Sequence, residues 1–236
     1  RPRPRVPAPR PGPDAARGRY GTWLDDDDEW RPGHLRGLLD AATANPAAGV
    51  VHSLADVRVD GAPPRAFGQP MARSELFRRS YIHASTALVD RGLVARGCRC
   101  DEALPLHEDW DWFLQCAQHA RFHFVRQRTF VWYADRGDSG AGGGRNLDTA
   151  RVDAATALVR RKWAAQAARL EASLAPVLAR ARDACGRSDW TGAADAIRAA
   201  LALDANNPDA LTLMAGVERA QGRLGEAQAA AALACV

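Results

Sequence analysis

The chain has 236 residues, 47% hydrophobic and 25% charged, with a formal net charge of +4. Six arginines against one aspartate fall within residues 1–23, so the positive excess is local and the remainder is close to neutral. This balance argues against a basic nucleic-acid-binding body. No apolar run reaches the ~20 residues that a membrane-spanning helix needs, and five cysteines in a chain of this size point to reduced thiols rather than a disulfide framework. A cytoplasmic protein of one large or two small domains is expected, with a peripheral place at the inner face of a membrane as the alternative.

Residues 1–13 are nearly all Arg and Pro. Proline removes backbone donors and fixes φ, so a solvated polyproline-like leader is expected there. Arg19–Leu24 reads as a short strand, ended by Asp25-Asp26-Asp27-Asp28-Glu29. Pro32 and Gly33 open a helix over 33–43, with Leu35, Leu38 and Leu39 on one face. Strands are expected at Gly49–Leu54 and Asp56–Val59, a loop over Gly61–Pro70, a short helix at Glu75–Arg79 and strand order over Tyr81–Val89. Asp90–Cys100 reads as a turn or short helix, Asp109–Ala120 as a helix, and Phe122–Val125 and Thr129–Tyr133 as two strands. Asp135–Arg145 holds five glycines and reads as a loop. Such alternation predicts an α/β layer structure.

Leu147–Arg182 predicts a long helix. Val152, Val159, Trp163, Ala167, Leu170 and Leu174 recur with helical spacing along one stripe, and Pro176 is expected to break or kink it. Beyond it, residues answer one another at an offset of 34: Ser188-Asp189-Trp190 to Gly222-Arg223-Leu224, Ala193 to Ala227 and Ala200 to Ala234. Leu201–Pro208 reads as a helix end and a turn. This segment looks like tetratricopeptide repeats. Repeats of that kind bury their apolar faces on neighbours, so the segment must lean on the long helix or on further repeats, and it offers a surface to a protein partner.

Two acidic clusters carry the chemistry. In a strand-like stretch, residues i and i+2 share a side, so Asp25 and Asp27 would converge, a donor set suited to Mg²⁺ or Mn²⁺. A solvated acidic turn ahead of a helix is the plain structural role for the same residues. The second cluster is Leu106-His107-Glu108-Asp109-Trp110-Asp111-Trp112. Asp109 stands at a helix start, where capping is the plain role. Burial beside Trp110, Trp112 and Phe113 would raise its pKa, the helix N-terminus would lower it, and a partly desolvated carboxylate there is a candidate general base.

Residues 15–35 (AARGRYGTWLDDDDEWRPGHL) are similar to the segment of family 2 glycosyltransferases that carries the Asp-x-Asp motif. Residues 104–117 (LPLHEDWDWFLQCA) look like the family's Glu-Asp motif and its helix, and residues 74–94 resemble the acceptor-side stretch of bacterial members. The resemblance spans 14–146. It implies a GT-A (Rossmann-like) fold, a nucleotide-diphosphate sugar donor, a divalent metal (Mn²⁺ or Mg²⁺), and transfer of a hexosyl-type sugar to a glycan, lipid or protein hydroxyl with inversion. On the matching positions, Asp25, Asp26 and Asp27 contact the donor, with Asp25 and Asp27 on the metal. Asp109 is the base, and Glu108 is the alternative base or an acceptor anchor.

Only about 24 residues precede Asp25, too few for the strand–helix–strand that binds the nucleotide base in that family, so a partial domain is expected. The divisions expected are a leader (1–13), a partial transferase domain (14–146), a connecting helix (147–182) and a repeat segment (183–236). The alternative function is a truncated, non-catalytic transferase serving as an interaction scaffold. His107, Trp110 and Trp112 are candidate substrate-lining residues, and Tyr133 and Ser139 candidate phosphate contacts. His83, His107, His119 and His123 show no metal-ligand spacing in sequence, and neither do Cys98 and Cys100.

Overall fold

The computed structural model describes residues 17–137 and 141–234. The Arg/Pro leader and Ser139 lie outside the described residues. Six strands form one sheet: β1 (Tyr20–Gly21), β2 (Glu29–Trp30), β3 (Ala48–Arg58), β4 (Arg65–Phe67), β5 (Ala87–Asp90) and β6 (Arg121–Tyr133), in the order β1-β5-β3-β6-β2. β3 is central. On one edge it pairs parallel with β6, and on the other antiparallel with β5 through Val50–His52 and then with β4 through Ala55–Val57. A strand paired on both edges and covered on both faces has no solvent side. That is why β3 reads as an almost continuous buried run rather than an alternating one.

The structure merges two pairs of expected strands. Asp56 interrupts the apolar run of β3 but does not end the strand: it is buried and paired with Arg31 at 2.6 Å and Arg58 at 3.6 Å. Arg126 and Gln127 do not separate two strands either. They form a bulge within β6, where Ser53 faces Val125 and the next residue of β3, Leu54, faces Arg128. The strand expected over Arg19–Leu24 shortens to Tyr20–Gly21, the 61–70 loop contains β4, and Tyr81–Val89 divides into a 3₁₀ turn at Ala84–Thr86 and β5.

Helix α1 (His34–Ala44) buries His34, Leu38 and Ala42, while Leu35 and Leu39 stay exposed. The exposure of Leu35 and Leu39 has a polar cause. His34 is drawn inward by hydrogen bonds to Thr129 Oγ1 (2.8 Å) and the Ser85 carbonyl (3.1 Å), and this rotates the helix off the leucine face. Two short helices, α2 (Arg73–Leu76) and α3 (Gly92–Ala95), precede α4 (Glu108–Cys116). The main core packs Leu76, Tyr81, Ile82 and Val89 against Trp110, Trp112, Phe113 and Leu114.

Helix α5 (Thr149–Gly186) runs 38 residues, ~57 Å at 1.5 Å per residue. It continues ten residues past Pro176, which is exposed, so the expected break does not occur. The helix joins two cores: Val159 and Trp163 enter that of the sheet, and Leu174, Leu178 and Ala181 enter a second one with α6 (Trp190–Leu203) and α7 (Pro208–Ala220). Helix α8 (Leu224–Ala234) packs on α7, and α6 and α8 begin 34 residues apart.

Among the polar contacts that fasten the helical segment to the sheet domain are those centred on Asp111 and on Asp204. Asp111 is fully buried and its carboxylate accepts from Trp163 Nε1 (2.8 Å), Lys162 Nζ (2.9 Å) and Gln115 Nε2 (2.8 Å). The α6–α7 turn caps α2: Asp204 accepts from the backbone N–H groups of Arg73 (2.7 Å) and Ser74 (3.2 Å), and Asn206 donates to the Met71 carbonyl (2.8 Å). Removing Asp111 strands a buried indole N–H, although Lys162, which reaches solvent, can rehydrate. Asp111→Ala is expected to cost about 2–4 kcal/mol in chemical denaturation, and Asp111→Asn, which keeps an acceptor for Trp163, clearly less.

Candidate active site

The two acidic clusters open onto one cleft of about 710 Å³, lined among others by Asp25–Asp28, His83, His107, Glu108, Asp109, Trp132 and Arg136. They lie more than seventy residues apart in sequence. The sheet brings them together, because β2 and β6 fix the floor while α4 begins at its rim.

The first cluster is a β-turn rather than a strand end. The Asp28 N–H donates to the Asp25 carbonyl at 3.2 Å, and β2 starts at the next residue. In a turn the first and fourth residues meet, so Asp28, not Asp27, is the neighbour of Asp25. Their carboxylate oxygens and a ring nitrogen of His83 all lie within 4.8 Å of one another. Asp27 points toward the glycine-rich loop: a Cβ on Gly137, whose φ is +71°, would stand 2.6 Å from Asp27 Oδ2. Gly137 therefore supplies both the backbone conformation and the space that Asp27 occupies.

Asp28 is held closely. Its side chain is 3% exposed, its Oδ1 accepts from the Tyr133 N–H at 2.9 Å, and its Oδ2 stands 3.9 Å from His83 Nε2. Burial pushes its carboxyl up to about 7, reinforced by Asp27 and Asp25, while the Tyr133 hydrogen bond and Arg136 act in the opposite sense. Asp28 is thus a carboxyl that gives up its proton near neutrality, which suits a group that a cation can displace a proton from. Two carboxylates fit either of the hard divalent cations expected, Mn²⁺ or Mg²⁺, in charge and in donor type.

The opposite wall carries the base candidates. Asp109 Oδ1 accepts from the Trp110 N–H at 2.7 Å, at the start of α4, and Glu108 is half-buried beside it. His107 precedes α4 in the left-handed region (φ 65°), an uncommon conformation for a non-glycine residue that turns the chain sharply into the helix. Its Nε2 stands 3.2 Å from Thr156 Oγ1 on α5, and burial lowers its pKa, with Glu108 acting in the opposite sense.

Trp110 and Trp112, expected beside substrate, are core residues. They are 1% and 2% exposed; Trp110 Nε1 donates to the Leu76 carbonyl at 2.6 Å, and Trp112 meets Trp23 edge-on with ring centroids 4.7 Å apart. The aromatic wall of the cleft is Trp132 and Phe67, in a T-shaped pair at 5.5 Å. The Tyr133 hydroxyl donates to Glu29 at 3.1 Å, and its ring lies under the Arg136 guanidinium at 3.6 Å. Arg136, rather than Tyr133, is therefore the phosphate-compatible group on that side. Sequence reasoning passed over Asp28 as a functional partner, His83 and Arg136. The one local signal was the adjacency of Arg136 to the glycine-rich loop. Nothing local links His83 to residues 25–28.

The family profile described as Glycosyl transferase family 2 matches residues 12–90. The match supports a family 2 glycosyltransferase domain and covers about a third of the chain: the acidic turn, α1, β3 and His83, ending ahead of α4. No curated protein matches the chain. Among the described residues no helix is long and apolar enough to cross a membrane.

The raised pKa of Asp28 sets a pH dependence. The folded state holds a proton that the unfolded chain releases above about 3.8, so this group's stabilisation is full below that pH and is lost as pH rises through about 7. Asp28→Asn keeps the Oδ1 acceptor without the ionisation. In chelator it is expected to melt higher than wild type at pH 8, on the order of 5 °C, with the difference vanishing toward pH 4 in thermal scans.

Proposed function

We propose that the chain transfers a sugar from a nucleotide-diphosphate donor to an acceptor hydroxyl, with inversion at the anomeric carbon. The observation that carries this reading is the convergence of the 25–28 turn and the 108–109 pair on one cleft, together with a family match that includes the first of them. Asp25, Asp26 and Asp27 line the donor side, and Asp28 joins Asp25 on geometry. A divalent cation held by these carboxylates would neutralise the charge that develops on the departing diphosphate. Arg136 presents a fixed positive charge to the same oxygens.

Asp109 takes the proton of the acceptor hydroxyl as that oxygen attacks the anomeric carbon and the bond to the diphosphate oxygen breaks. Glu108 anchors the acceptor or replaces Asp109 as base. Trp132 and Phe67 offer an apolar wall on which a sugar ring or an acceptor's apolar part can lie. His107 orients the start of α4 and so aims Asp109.

The helices from 183 onward serve as tetratricopeptide-like repeats that present a protein-docking surface. The 34-residue interval between the starts of α6 and α8 supports that reading, and α5 connects this segment with the transferase domain over 14–146. A second reading, a non-catalytic transferase remnant acting as a scaffold, is favoured by one observation: the family match ends at residue 90, short of Glu108 and Asp109.

The two readings separate in a thermal-shift titration with Mn²⁺ and a panel of nucleoside diphosphates. Transfer predicts a Mn²⁺-dependent rise with one base, because a ligand bound only by the folded state stabilises it by RT ln(1 + [L]/Kd). No shift with any of them favours the scaffold. In sugar-transfer assays Asp109→Asn, which keeps the acceptor for the Trp110 N–H, is expected to lower turnover about 10²–10⁴-fold while leaving the melting temperature within about 2 °C.

A further inference from the structure

His83 stands among the carboxylates of the acidic turn, yet its hydrogen bonding has the wrong polarity for a metal ligand. Its Nδ1 accepts the Ser85 backbone N–H at 3.2 Å. That bond is part of the 3₁₀ turn Ala84–Thr86, which also returns the Thr86 N–H (2.9 Å) and Oγ1 (2.7 Å) to the His83 carbonyl. The ring is further fixed by its neighbours, with Phe130 at 4.8 Å and Trp132 at 5.1 Å between centroids. Nδ1 is therefore the acceptor and, in the neutral ring, the proton resides on Nε2, the nitrogen that faces Asp28 Oδ2 across 3.9 Å.

A histidine that binds a metal through Nε2 must carry its proton on Nδ1, and it normally donates that proton to a carbonyl or carboxylate. Here such a proton would point at a backbone N–H, donor against donor. Moving His83 into a metal's coordination shell would break the Ser85 bond and oppose two hydrogens within a rigid turn.

We propose that His83 serves this site as a hydrogen-bond donor through Nε2–H, directed at an oxygen of the bound diphosphate beside Asp28, and is not a ligand of the metal. The inference rests on reading the cleft as a metal–diphosphate site. It divides the labour within the cleft: Asp25 and Asp28 face the cation, while His83 Nε2–H and the Arg136 guanidinium face the oxygens that gain charge as the sugar leaves. No proton need be transferred by His83, so its contribution is orientation and electrostatic stabilisation.

Two measurements test this. In ring-¹⁵N NMR of the intact protein at pH 8 with saturating Mg²⁺, the His83 signals, assigned by their loss in His83→Phe, should show Nδ1 unprotonated and Nε2 protonated. A protonated Nδ1 overturns the proposal without any variant having to be interpreted. In parallel, Mn²⁺ binding is followed by the electron paramagnetic resonance of the free ion, and inorganic pyrophosphate binding by calorimetry in the presence of Mn²⁺. His83→Phe keeps the ring stacking and should leave the Mn²⁺ affinity within about threefold, whereas Asp25→Asn weakens it tenfold or more. The same His83→Phe should weaken pyrophosphate about tenfold, and His83→Gln, which keeps a donor near Nε2, should recover most of that loss. If His83→Phe loses Mn²⁺ as severely as Asp25→Asn does, the donor role is refuted while the metal–diphosphate reading survives. If the wild type binds neither Mn²⁺ nor pyrophosphate, that reading falls and this inference falls with it.

Discussion

The parallel pairing of β3 with β6 is the constraint on which the rest depends. It joins Ala48–Arg58 to Arg121–Tyr133 over most of both strands, and each element of the cleft is set by what hangs from it. β6 carries β2 on its outer edge, which places the 25–28 turn at its end. Its last residue, Tyr133, supplies the N–H that fixes Asp28 and the ring that supports Arg136. β3 carries β5, and the turn that leads into β5 holds His83. A parallel pair needs a long crossover, and the one between these strands contains α2, α3 and α4. The same topological necessity that builds the sheet thereby delivers Glu108 and Asp109 to the cleft.

The pattern of elements was legible in the sequence because long periodic segments report their surroundings. The α5 stripe reads correctly from Val159 to Leu174, since Val159, Trp163, Ala167, Leu170 and Leu174 all join apolar clusters. What was not legible depends on polar partners distant in sequence. Asp56 looks like the start of a separate strand until Arg31 and Arg58 are beside it. Leu35, Leu38 and Leu39 look like one buried face until Thr129 and Ser85 are present to draw His34 inward, which turns α1 so that Leu35 and Leu39 face solvent. Trp110 and Trp112 look available to a sugar until the core closes over them.

The cleft itself was half legible. Both carboxylate clusters stand out as acidic interruptions of apolar sequence, and a family resemblance orders them. Their internal geometry does not stand out, because it turns on a single choice. An extended 25–28 stretch would pair Asp25 with Asp27, whereas the observed turn pairs it with Asp28. Four consecutive aspartates satisfy either geometry, so composition carries no preference. The deciding contact is the Tyr133 N–H, more than a hundred residues away.

Helix α2 has no cap of its own. Its first N–H groups are satisfied by Asp204, some 130 residues further along the chain. During synthesis the segment around Arg73 and Ser74 must therefore leave these backbone donors to water until the α6–α7 turn has emerged and swung back. Its completion is a late, long-range closure rather than a local event, and such closures slow folding through the entropy of the intervening loop. The helical segment thus completes one corner of the sheet domain, which closes only once the α6–α7 turn is in place to cap α2.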